Sequence, residues 1–81
     1  MKYHTINFVN LFGFQFLFVV VNCGPLSKPD HGDIIEQVAV TFGNRIVFEC
    51  TEKGYEMKGS RVRICQSDGT WSGSPTTCER K

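Results

Sequence analysis

Residues 8–21 are apolar at nearly every position, with Asn10, Gly13 and Gln15 the interruptions. Past Cys23 no such run recurs. The chain breaks instead into short apolar or β-branched runs between turn signals. These are Gly24-Pro25, Lys28-Pro29-Asp30-His31-Gly32, Gly43-Asn44, Lys53-Gly54, Lys58-Gly59-Ser60, Ser67-Asp68-Gly69 and Gly73-Ser74-Pro75. In Arg45-Ile46-Val47-Phe48-Glu49-Cys50, the residues Ile46, Phe48 and Cys50 alternate to one face, the period of a half-buried strand. Residues 38–42, 54–57 and 61–65 are the other strand candidates. In the last of these Val62 and Ile64 share one face, while Arg61 and Arg63 point the other way. No stretch beyond Cys23 holds a helical period. Short strands separated by turns predict a small all-β fold.

The apolar run follows a basic start, Lys2. A positive first region and a short apolar stretch read as a secretory signal peptide. The stretch is short for a membrane helix, which needs about 20 apolar residues. Its exit is unusual, because Val19-Val20-Val21-Asn22 offers no Ala or Gly in front of Cys23. The expectation is a signal peptide over residues 1–22. An uncleaved hydrophobic anchor is the alternative, and only then would a membrane be a partner.

Without that segment 59 of the 81 residues remain. A domain of this size buries only about 60% of the surface its unfolded chain exposes, so its core needs help. Four cysteines, Cys23, Cys50, Cys65 and Cys78, are the available help. In an oxidising compartment such a set reads as two disulfides, with three pairings open. Zinc is disfavoured, because structural sites pair close ligands and the nearest cysteines here have 12 residues between them. No metal or other cofactor is expected.

Charge changes the picture in one way. All 8 acidic residues lie beyond Cys23, together with every Lys and Arg except Lys2, so the domain is close to neutral. A neutral domain has no broad field to attract nucleic acid, and none is expected as a partner. Lys53, Lys58, Arg61 and Arg63 form a local basic cluster that suits a sulfated glycan or an acidic protein face. Glu52, Glu56 and Asp68 stand close in sequence, which makes a solvated, balanced face the plainer reading.

Catalysis needs a nucleophile beside a base, paired carboxylates or a metal. His31 sits in a Pro/Gly-rich loop and reads as a solvated residue. Ser60, Ser67, Ser72 and Ser74 are turn residues without a plausible base, and Glu52 and Glu56 flank a turn. No catalytic residue is assigned, and the chain is expected not to be an enzyme. Trp71, the only Trp, follows the Asp68-Gly69-Thr70 turn. One indole can bury about 150–250 Å2, so Trp71 is expected to anchor the core, with Phe48 and Tyr55.

Taken together, the chain resembles the sushi family, also called complement control protein modules or short consensus repeats. The resemblance runs from Cys23-Gly24-Pro25 through Pro29, Gly32, Gly43 and the Ile46–Cys50 strand. It continues through Gly54-Tyr55-Glu56-Met57-Lys58-Gly59-Ser60 and Cys65, and closes on Asp68-Gly69-Thr70-Trp71-Ser72, Pro75 and Cys78. It covers residues 23–79 as one domain. The resemblance implies first-to-third and second-to-fourth pairing, hence Cys23–Cys65 and Cys50–Cys78. It also implies a secreted, non-catalytic module that binds an extracellular protein, as in complement regulators, adhesion receptors or matrix proteins. The alternative is a fragment of a larger multi-module protein or receptor. One such case is a sushi-containing serine protease, in which the module is a spacer or docking element.

Overall fold

The computed structural model describes the backbone of residues 3–9 and 15–81, with side chains from Val20 onward. Lys2 and residues 10–14 of the apolar segment lie outside the described residues. Among the described residues there are seven strands and no helix. Strands β1 (Tyr3–Val9) and β2 (Gln15–Val21) pair antiparallel, Tyr3 opposite Val21. Strands β3 (Gly32–Gln37), β4 (Arg45–Cys50) and β6 (Val62–Ile64) make a three-stranded antiparallel sheet with β4 in the centre. Strands β5 (Tyr55–Lys58) and β7 (Thr77–Arg80) pair separately.

Strand β4, between β3 and β6, carries the apolar side chains of the core. Ile46 and Phe48 are buried on one face as their alternation requires, and Phe48 is only 2% exposed. Val47, on the other face, is also covered, at 8%. Among the described residues the buried apolar core is Ile46, Val47 and Phe48 with Cys65 and Cys78. Half-cystines thus form part of the core as well as its staples.

Both disulfides have the pairing that the resemblance implied, Cys23–Cys65 and Cys50–Cys78. Each spans a Cα–Cα distance of 5.7 Å, within the range that a disulfide bridges. The two closed loops interleave, since Cys50 lies inside the first loop and Cys65 inside the second.

Several strand expectations need correction. Residues 38–42 are not a strand. Thr41 makes a single bridge, to Asn22, and Val38 is 86% exposed. The Asn44 side-chain amide donates to both the hydroxyl and the carbonyl of Thr41, closing a turn there. The strand that pairs with β4 lies earlier, in β3, and contains residues read as part of a turn. A register shift between Ile34 and Glu36 leaves Ile35 as a bulge, which breaks the period of two that would have marked it. Strand β7 was not anticipated either.

The turn read before β3 is present, closed by the Gly32 N–H donating to the Pro29 carbonyl. Its left-handed residue is His31, at φ 64°, and not Gly32. Gly32 is needed for space, because it passes over the Cys50–Cys78 bond. A Cβ there would lie 2.6 Å from the Glu49 carbonyl oxygen and 2.8 Å from Cys78 Sγ. Gly32→Ala is therefore expected to destabilise the domain by about 1–3 kcal/mol through overpacking. A urea titration monitored by Trp71 fluorescence checks this, and an unchanged midpoint would contradict it.

Candidate functional site

The three-stranded sheet has two unlike faces, and the register decides which is which. Directly opposed residues in an antiparallel pair lie on the same face. Ile46 opposes Arg63, so Arg63 is on the core side. There it is half-buried, and its Nε donates to the Ser72 carbonyl at 2.9 Å. Val47 opposes Val62 on β6 and Glu36 on β3, and Arg45 opposes Ile64. These residues form the outer face. Val62 and Ile64 are 39% and 45% exposed, and Ile35 at the bulge is also exposed. The Arg61–Cys65 alternation is thus real but inverted, with the apolar pair facing water and Arg63 facing in.

Charge borders this outer face. Arg45 Nε lies 2.6 Å from Glu36 Oε2, and a second guanidinium nitrogen donates to Oε1 at 3.3 Å. That hydrogen bond holds the Glu36 carboxyl below the usual carboxylate range. Desolvation opposes it, and the charge of Arg45 adds a further, smaller lowering. The Arg45 guanidinium is correspondingly held above its ordinary value by the same bond. Because folded Glu36 titrates below its unfolded value, the pair's contribution is complete above the unfolded pKa and fades as pH falls through the folded one. Arg45→Gln should move the Glu36 midpoint up toward the ordinary carboxylate value. Carbon-13 NMR titration of the Glu36 carboxyl reads this directly, and an unmoved midpoint would refute the assignment.

The Cys50–Cys78 end carries a second cluster. His31 stacks on Tyr55, with ring centroids 4.0 Å apart and planes 17° from parallel. Its Nδ1 is 2.7 Å from Glu52 Oε2. The His31 carbonyl accepts from the backbone N–H groups of both Thr51 and Glu52. Arg80 lies over the Tyr55 ring, 5.6 Å from its centre. An open cleft between the 28–32 loop and Thr51–Glu52 adjoins this cluster. His31, read from sequence as a solvated loop residue, is an organised part of this end. Its partners are 21 and 24 positions away, so only the folded topology brings them to it.

The predicted core anchors divide. Phe48 is buried, whereas Tyr55 and Trp71 are half-buried. Trp71 bridges to Cys65, and its indole N–H donates to the Gly24 carbonyl at 3.1 Å, closing the Cys23–Cys65 end. The basic residues are placed apart. Lys53 lies in the turn before β5 and Lys58 ends that strand, 3.2 Å from Glu56. Arg61 lies beside β4, where its carbonyl accepts from Phe48 N–H. Arg63 is on the core side of another sheet.

Comparison with known proteins agrees with this architecture. The Sushi repeat (SCR repeat) family matches residues 23–78. The rat (Rattus norvegicus) protein called Sushi, von Willebrand factor type A, EGF and pentraxin domain-containing protein 1 is 37% identical over 60 residues. That match is 74% of this chain and 2% of the relative. Human (Homo sapiens) sushi repeat-containing protein SRPX is 38% identical over 60 residues, 73% of this chain and 13% of its own length. Clotting factor C of Tachypleus tridentatus is 35% identical over 57 residues, 64% of this chain and 6% of its own. The chain therefore spans a small fraction of each of these relatives. With its family match running from the first cysteine to the last, both disulfides in the implied pairing and an all-β body, the chain belongs to the sushi repeat family.

Proposed function

We propose that the chain works as an extracellular, non-catalytic protein-binding module, and that the outer face of the β3–β4–β6 sheet is its contact surface. The observation that carries this reading is the exposed Val62–Ile64 pair beside the Arg45–Glu36 ion pair. Protein interfaces combine an apolar centre with a polar rim in this way. The disulfides hold that face rigid, which lowers the entropy lost on binding. They also suit an oxidising compartment. Secretion is directed, on this reading, by the apolar segment 1–22.

The test is a binding screen against purified extracellular proteins. It uses the oxidised protein beside Ile64→Ser and Val62→Ser variants of unchanged melting temperature. A ligand held by the parent and lost by the variants supports the reading. A ligand held equally by all three, or none held at micromolar concentration, removes it.

A second reading rests on the small share of each relative that the match covers. Here the module is a spacer or docking element among other domains of a longer protein. Further cysteine quartets or a trypsin-like domain in the full-length transcript would support it. A stop codon directly after Lys81 would oppose it.

The glycan reading is weaker, because Lys58 faces Glu56 and Arg63 is turned to the core side. The protein is expected to leave heparin at or below about 0.15 M salt, where exposed charges are largely screened beyond about 8 Å. Retention well above that would restore the four basic residues as a contact patch.

A further inference from the structure

We propose that the folded unit begins at Val21 and not at Cys23, and that Val21 and Asn22 form a pinned lead-in strand that fixes the direction from which the preceding chain reaches the module. Three backbone features carry this. Phe42 N–H donates to the Val21 carbonyl at 3.0 Å. Cys23 N–H donates to the Val40 carbonyl at 2.8 Å. Between them Asn22 and Thr41 form an antiparallel bridge. The geometry is strand addition to the 40–42 segment, which is otherwise outside every sheet.

Side chains agree with the backbone. Asn22, which lies past the β1–β2 pairing, is half-buried, unlike a residue of a free tail. Asn22 Oδ1 accepts from Gly24 N–H at 2.8 Å, a local turn that sets the approach to the first half-cystine. The receiving segment is itself fixed on its other side. Gly43 N–H donates to the Cys65 carbonyl, and Cys65 N–H donates to Asn44. Cys65 in turn bridges to Trp71. The segment that receives Val21 is thus itself tied to Cys65, one end of the first disulfide.

A module cut at Cys23 would leave Phe42 N–H without its partner. It would also turn the Cys23 amide into a charged terminal amine.

The experiment uses protein made through a secretory pathway and analysed by intact mass, followed by amide hydrogen exchange on the same product. A first residue at or before Val21 is expected, with exchange at Phe42 and Cys23 slowed at least about 100-fold relative to an unstructured peptide. A first residue at Asn22 or later overturns the proposal, as does a Phe42 amide that exchanges at the unstructured rate. A product still beginning at Met1 with both amides protected sinks the signal-peptide reading and leaves the lead-in strand standing.

Discussion

A chain carrying Cys50→Ala together with Cys78→Ala is expected to fail to reach the medium as soluble protein and to show no cooperative melt when refolded. The bond joins residues separated by 28 positions. In the chain-entropy model, closing a loop of that length contributes on the order of 3–4 kcal/mol. That is as large as the roughly 3–5 kcal/mol that a core of this size supplies. The loss is also local. Cys78 is buried against the core, and the β3 backbone runs over its sulfur at Gly32. Two alanines leave a void exactly where β3 must pack, which adds a cavity contribution to the entropic one. Secretion yield and a calorimetric scan of refolded material decide the matter. Normal yield with a single sharp transition would show that the sheet holds without this bond.

Phe48→Ala is expected to be nearly as severe, at about 3–5 kcal/mol. Phe48 is 2% exposed at the centre of β4, opposite Ile34, with its N–H on the Arg61 carbonyl. The backbone bonds survive the substitution, so the loss comes from the missing ring. Phe48→Leu separates the two causes, since a volume-near apolar swap typically loses less than about 1.5 kcal/mol. Urea unfolding of both variants measures the difference. A Phe48→Ala loss below about 1 kcal/mol would mean that the core lies elsewhere.

The parts of this fold that could be read from sequence are those in which a local signal and the tertiary outcome coincide. Strand β4 is one, because the alternation of Ile46 and Phe48 sets both on the face that the fold buries. The turns are another, since Gly and Pro act through their own backbone preferences. The parts that could not be read are of three kinds. The bulge at Ile35 erases the alternation of β3, so that a polar-rich strand resembles a loop. The alternation of residues 61–65 was visible, but it cannot say which face looks inward. The register against β4 decides that. His31 acquires its role from Glu52 and Tyr55, far away in sequence, and nothing near His31 announces them. The exposure of Val62 and Ile64 on the outer face was missed for the same reason as the placement of Arg63. The Cys23–Cys65 and Cys50–Cys78 pairing came from resemblance, because spacing alone left three choices.

The interleaving of the two closed loops has a consequence for damage. A single peptide-bond cut anywhere between Cys23 and Cys78 leaves both pieces joined by at least one disulfide. A cut at the exposed Lys58–Gly59 turn is held by both, because Cys23 and Cys50 fall on one piece and Cys65 and Cys78 on the other. A single proteolytic nick thus sheds no fragment of the module. Its mass rises only by the one water consumed until a reductant parts the two pieces.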